Sequence, residues 1–520
     1  MTDNEGLQPE QSLMPNQINA PQEKTIPALK RVRTGIAGLD DILGGGLPQG
    51  HLYLVEGDPG TGKTTLGMQF LLEGLKNHER VMYVALSESS QELIQVAESH
   101  GWSLNGVHIC EVAAREDEIS AEAQYTVFHP SEVETVDTLS YILQQVDAIN
   151  PHRIVLDSLS ELRLLARDPL KYRRHILALK RHFAGKNCTV ILLDDRTFEA
   201  GKDGQLQSIA HGVIIMQSLE RDFGIKRRRI EVRKLRGSAF REGYHDYVLK
   251  PGGLSVYPRL VAAEHRVGFE RRVVPSGLKE LDDLFGTGLD SGTSALFMGP
   301  AGCGKSTIAL KYAVECARRR EKALYFTFDE SVTTLIARAH GFKMNLEPSL
   351  ESGLLEIKQV DPAELSPGEF ISQVRRAIEQ EGLKVLVVDS INGLMNAMPH
   401  EQFLALQLHE LLSYLAQEGV ATIMTMAQHG FVGNMDSPID VSYLADSVLL
   451  FRYFEFSGEI RQALSVVKKR SGRHERAIRE LIFGDGSFSV GTPLKGFVGV
   501  LTGVPRLIGD LHKVENSAES

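Results

Sequence analysis

Residues 299–307 read GPAGCGKST, and residues 57–65 read GDPGTGKTT. Both satisfy GxxxxGK[ST], the pattern of a phosphate-binding loop. Glycines let the backbone wrap so that successive N–H groups point at one phosphate, at a helix N-terminus that also favours anions. The lysine reaches the outer phosphates and the following hydroxyl ligates Mg²⁺. The atoms expected around a bound nucleotide's phosphates therefore belong to Gly57, Asp58, Pro59, Gly60, Thr61, Gly62, Lys63, Thr64 and Thr65. In the second loop they belong to Gly299, Pro300, Ala301, Gly302, Cys303, Gly304, Lys305, Ser306 and Thr307. The Cys303 thiol is incidental to a loop that works through its backbone.

The two loops lie inside a repeat. Residues 34–66 and 276–308 align without a gap at an offset of 242, with 14 of 33 positions identical. An LDD…G.GL..G block precedes the loop in both. Chance is negligible for two such loops in one repeat, each after an apolar strand and before a helix. Each copy continues with short apolar runs, MYVAL, IVLD and TVILL in the first, LYFTF, VLVVD and TIMTM in the second. They do not alternate, so they predict parallel strands covered on both faces. The fold class expected is α/β, two tandem P-loop nucleoside-triphosphatase domains with mainly parallel sheets flanked by helices. The boundaries expected are 1–27 for a disordered extension, 28–262 and 263–490 for the domains, and 491–520 for a tail. The tail reads as a packing segment, with partner docking as its alternative.

A nucleotide site of this type needs a second carboxylate on the Mg²⁺ side, at a neighbouring strand end. RIVLDSLSEL supplies Asp157 and LKVLVVDSINGL supplies Asp389. Hydrolysis also needs a group to orient or deprotonate the nucleophile. ALSESSQEL offers Glu88, and TFDESVTTL offers Asp329 and Glu330. The second copy thus has a carboxylate pair where the first has Ser87 and Glu88. Far from each loop stand EVRKLRGSAF and SVVKKRSGRH, matching Lys234 and Arg236 with Lys468 and Arg470. This placement suits cations that cross a subunit boundary to a neighbour's γ-phosphate; ordinary edge-strand charge is the competing reading.

Net charge is −10 over 520 residues, which argues against nucleic acid as the main partner. The basic stretch 171–183 reads as a solvated helix face. Four cysteines without a CxxC pair suit a reducing compartment. No apolar run approaches the length of a membrane span, and the polar N-terminus is no signal peptide, so a cytoplasmic location is expected.

These motifs together resemble the KaiC family of RecA-like ATPases, the core component of the cyanobacterial circadian clock. The likeness covers about 28–490 and includes HERAIREL at 474–481. It implies a ring of six subunits with ATP and Mg²⁺ between neighbours. Lys63, Thr64, Asp157 and Glu88 then face the first nucleotide; Lys305, Ser306, Asp389, Asp329 and Glu330 face the second. Lys234, Arg236, Lys468 and Arg470 act in trans. The family's first ring is mainly an ATPase, and its second also transfers phosphate to its own serine and threonine. Here the adjacent acceptors fall on Ser442 and Tyr443. The serine is kept and the threonine is lost, so serine autokinase activity fits and a two-site cycle does not. The clock's usual partner docking is not implied, because the tail differs, and the signalling partner is left open. Two alternatives stand beside this reading: a RecA/RadA- or DnaB-like DNA motor, and a nucleotide-gated scaffold with little turnover.

Overall fold

The computed structural model describes residues 30–112, 130–166, 168–196, 204–220, 224–265, 268–361, 363–396, 401–430, 441–502 and 506–507. The N-terminal extension and most of the distal tail lie outside them. Two nine-stranded sheets dominate, and their strands are numbered here in chain order. The first sheet holds β1 (Leu52–Gly57), β2 (Val81–Ala85), β3 (Val107–Glu111), β4 (Arg153–Asp157), β5 (Thr189–Asp195), β6 (Gly212–Leu219), β7 (Arg227–Leu235), β8 (Tyr244–Lys250) and β9 (Gly253–Tyr257). The second holds β10 (Ser294–Gly299), β11 (Lys322–Thr327), β12 (Leu355–Gln359), β13 (Leu383–Asp389), β14 (Ala421–Ala427), β15 (Ser447–Phe456), β16 (Glu459–Lys469), β17 (Arg479–Gly484) and β18 (Ser487–Pro493).

The first sheet runs β9-β8-β7-β6-β1-β5-β4-β2-β3, and the second repeats this order strand for strand as β18-β17-β16-β15-β10-β14-β13-β11-β12. Six strands of each, from β6 to β3 and from β15 to β12, pair parallel. The remaining pairs are antiparallel hairpins. This is the expected pair of tandem RecA-like domains. The parallel strands are apolar on both faces because helices cover both; Leu52, Leu54, Tyr53 and Val55 are all buried, and they divide between two core clusters. The stretch 171–183 lies in the helix Pro169–Gly185, which buries Tyr172, Ile176, Leu179 and Phe183.

The strand reading TVILL stops short. The structure carries β5 on through Asp194 and Asp195, which pair with Glu56 and Gly57. The tail begins as an apolar cluster, in which Val500 is buried with Phe454 and Ala463.

The two domains of one chain meet through a helix end. Ser366 caps the helix Pro367–Glu381 by accepting from the Glu369 N–H. The Gly368 N–H donates instead to Asp246 of β8 at 2.8 Å, and Lys250 pairs with Glu369 at 2.7 Å. A carboxylate of one domain thus completes the N-terminus of a helix in the other, where the helix dipole favours negative charge. A Cβ on Gly368 would sit 2.7 Å from the Asp246 Cβ, so the approach requires glycine. Burial nonetheless pushes the Asp246 carboxyl up from its usual range, against the pull of the Gly368 N–H, Arg227 and Arg229. A folded-state value above the unfolded one means the fold favours the protonated form, so this group's contribution improves as pH falls through that value. Asp246→Asn, which keeps the acceptor without the charge, is expected to hold or raise Tm at neutral pH. Asp246→Ala, which orphans the Gly368 N–H, is expected to lower it by about 2–4 °C. Calorimetry of the two variants checks the pair, and equal Tm values would show that the contact contributes nothing.

Candidate functional site

Each loop grows from the C-terminal end of the central strand of its sheet. Gly62 and Gly304, in the left-handed region at φ 92° and 99°, turn the chain into the helices Lys63–Lys76 and Lys305–Arg318. Glycine is required there, since a side chain would be strained. Neither helix has a side-chain N-cap. Its first N–H groups are left to whatever lies in the loop, which is the donor set an oligophosphate fits.

The strand-end aspartates come to these helices across an intervening strand. Thr64 Oγ1 donates to Asp157 Oδ2 at 2.8 Å, and Ser306 Oγ donates to Asp389 Oδ1 at 3.0 Å. A hydroxyl and a carboxylate so placed could share one Mg²⁺, which suits oxygen ligands. Both carboxylates also accept from a tyrosine the sequence did not single out: Tyr83 on Asp157 at 2.6 Å, and Tyr325 on Asp389 at 2.5 Å. Asp389 accepts further from Thr425. The peptides Asp157–Ser158 and Asp389–Ser390 are both cis. Burial pushes the Asp157 carboxyl up, opposed by Tyr83, Thr64 and Lys63 and reinforced by Asp195. Burial and the facing aspartate hold both tyrosines protonated.

The acidic turns differ between copies in a way residue counting did not reveal. Asp329 accepts from Ser390 Oγ at 2.5 Å, and Glu330 pairs with Arg338 at 2.9 Å. The second pair is therefore committed to partners on either side. Glu88 has one oxygen, Oε2, buried without a hydrogen-bond partner. Burial, then the Asp157 and Glu92 charges, push its carboxyl above the usual glutamate range. Burial also raises Glu330, with Arg338 opposing.

The loop lysines are both buried but held differently. Lys63 donates to the Gly57 and Asp58 carbonyls at 2.8 and 3.1 Å and pairs with Asp195 at 2.7 Å. Lys305 donates to the Gly299 and Pro300 carbonyls at 3.0 and 2.6 Å and touches Cys303 Sγ at 3.7 Å.

The distant cations lie at the opposite end of each sheet. β7 pairs Lys234 with Val213 and β16 pairs Lys468 with Val448, the second residues of β6 and β15. The arginines lie further back: the Arg236 N–H donates to the His211 carbonyl and the Arg470 N–H to that of Asp446, and His211 and Asp446 donate in turn to Leu52 and Ser294, the first residues of the central strands, whose far ends carry the loops. Five steps of ~3.3 Å separate the two ends of a central strand by about 17 Å. Lys234 donates to the Gln207 carbonyl at 2.5 Å and Arg236 to that of Ser208 at 2.7 Å. Lys180 adds a third bond, to Ile209 at 2.6 Å. All three cap the C-terminus of the helix Gly204–Ile209. In the second copy Lys468 donates to the Ser442 carbonyl at 2.8 Å and Arg470 to that of Tyr443 at 2.6 Å. Arg470 also lies 3.5 Å from Asp446, whereas the position matching Asp446 in the first copy is His211, stacked on His51 with ring centroids 3.8 Å apart. Burial, then the His51 charge, lower the His211 imidazole to about 4.

Among the described residues no helix is long and apolar enough to cross a membrane, and all four cysteines are free and buried. Comparison with known proteins agrees with the duplication. The family model described as "ATPase: KaiC" matches residues 32–261 and again 274–494. "Circadian clock oscillator protein KaiC" of Picosynechococcus sp. is 26% identical over 509 residues, covering 96% of this chain and 97% of that protein. The protein of the same name from Synechococcus elongatus is 26% identical over 501 residues, covering 94% of each.

The raised Glu88 gives a pH test. If the ionised form orients or deprotonates the nucleophile, hydrolysis falls as pH drops through a value above the usual glutamate range of about 4.3. In a Lys305→Ala background, Glu88→Gln should lower ATP turnover by about 100-fold or more and abolish that acid limb. The same change should not lower Tm at neutral pH, because a carboxyl raised by the fold is better replaced by a neutral group. A retained acid limb in Glu88→Gln would remove Glu88 from the role.

Proposed function

This chain belongs to the KaiC ATPase family, and on that premise we propose that it is a Mg²⁺-dependent ATPase assembled as a ring of six, with every nucleotide between two subunits. The observation that carries the proposal is the placement of each phosphate loop and its Lys–Arg pair at opposite ends of one sheet. A chain cannot bring both to one phosphate, whereas head-to-tail neighbours can.

Within this reading, the N–H groups of 57–65 and 299–307 cradle the phosphates, and Lys63 and Lys305 reach their outer oxygens. Thr64 with Asp157, and Ser306 with Asp389, hold Mg²⁺. The metal, when bound, screens the phosphate charge that develops as the terminal bond breaks. Glu88 in the first ring, and Asp329 with Glu330 in the second, orient the attacking oxygen. Lys234 and Arg236, and Lys468 and Arg470, approach the γ-phosphate from the neighbour.

Ser442 is the acceptor of serine autophosphorylation in the second ring. Its carbonyl is gripped by Lys468 in the very turn that Arg470 also holds, so a phosphate meeting these cations meets Ser442 as well. Tyr443, 54% exposed, occupies the next position. A serine-only modification fits a signalling or timing role related to that named for the relatives, in the cytoplasm and with a protein partner rather than a nucleic acid.

Intact mass after incubation with Mg·ATP decides the acceptor. The wild type should gain a single phosphate, and Ser442→Ala and Lys305→Ala should gain none. Arg470→Ala should lose the phosphate but regain part of it when mixed with Lys305→Ala subunits, since each variant then supplies the half-site the other lacks. An unchanged mass gain in Ser442→Ala, or no recovery at any mixing ratio, would overturn the acceptor or the shared site respectively.

A further inference from the structure

The two loop lysines have the same backbone partners and differ in their side-chain ones, a thiol at 3.7 Å for Lys305 and a carboxylate for Lys63. Lys63 and Lys305 each donate to the carbonyls of the first two loop residues. Among the described residues, Lys63 alone of the two also meets an acid, Asp195, at 2.7 Å. The cause lies in the register. Gly57 pairs with Asp195 on β5, and Gly299 pairs with Ala427 on β14. The position that faces the loop is therefore aspartate in one copy and alanine in the other. Asp195 keeps 39% of its side-chain surface exposed, so it stands at the rim of the site beside the buried ammonium. Its strand β5 runs parallel beside β4, which ends at Asp157, so Asp195 stands at the same end of the sheet as the Thr64–Asp157 pair.

We propose that Asp195 is a counter-ion gate on Lys63, an internal competitor for the ammonium that makes the first site the looser holder of nucleotide phosphate. The proposal rests on the reading that both loops bind ATP. An arriving phosphate has to displace the carboxylate from Lys63, and the displaced carboxylate then stands near like charge. As product leaves, Asp195 takes the ammonium back, which favours release. Lys305 makes no such exchange. The second site therefore retains nucleotide, as suits a site that passes phosphate on, and the first turns it over.

The built-in contrast supplies the experiment. A fluorescent ATP analogue with Mg²⁺ is titrated into full-length protein with one loop disabled. In Lys305→Ala, adding Asp195→Ala or Asp195→Asn should tighten binding by about fivefold, the scale of a part-exposed ion pair. The gain should shrink as salt is raised. In Lys63→Ala, adding Ala427→Asp should weaken binding by a similar factor. Unchanged or weaker binding in both Asp195 variants would overturn the gate, since Asp195 would then support the nucleotide rather than compete with it. Binding by neither loop in either parent background would instead overturn the ATP reading itself.

Discussion

The hydrogen bond between a helix hydroxyl and a strand-end carboxylate, Thr64 to Asp157 and Ser306 to Asp389, fixes the geometry on which everything else in each domain depends. The two groups lie 93 and 83 residues apart in the chain, and a strand stands between their elements in the sheet. Only the strand order brings them together. The central strand must deliver the loop, the next strand must be filled later from the chain, and the strand beyond it must end in aspartate at the same level. Burial penalises the Asp157 charge, so the structure surrounds it with a threonine, a tyrosine and a lysine. These partners make a dry carboxylate tolerable, and the same partners aim it.

Given that shared frame, the two domains differ at its rim. The second domain commits its acidic pair to Ser390 and Arg338 and leaves Lys305 facing carbonyls. The first leaves a Glu88 oxygen without a partner and ties Lys63 to Asp195. At the other end the second neutralises Arg470 partly with Asp446, while the first gathers Lys180, Lys234 and Arg236 without a corresponding acid at 211. Duplication preserved what sets the backbone path and let the electrostatics diverge.

Much of this was legible before any coordinates. Glycine, lysine and hydroxyl spacing named both loops because the phosphate-binding backbone tolerates few alternatives. Asp157 and Asp389 stood out because each ends an apolar run at matching places. Asp195 did not, because TVILL reads as a finished strand and only cross-strand register shows that Gly57 faces an aspartate. Tyr83 and Tyr325 were hidden as ordinary apolar strand residues. Lys180 is one of several basic residues in a single helix, and only packing against the helix Gly204–Ile209 separates it from its neighbours. Arg338 lies two turns into a helix, and its reach back to Glu330 is a matter of side-chain length. Composition and spacing see the backbone's requirements; they do not see which side chains converge from separate strands.

The three carbonyls that receive Lys180, Lys234 and Arg236 carry a consequence for energetics. Long cationic side chains ordinarily lose considerable rotational freedom when they settle on an anion. Here they are already ordered by the negative end of a helix, so that entropy is lost when the domain folds and not when a phosphate arrives. The same carbonyls draw part of the positive potential inward, so the cluster attracts anions less strongly at long range than three unrestrained charges would. Such an arrangement trades reach for preorganisation: it is weak as a lure for stray polyanions, and under the shared-site proposal it suits a phosphate delivered to it at close quarters.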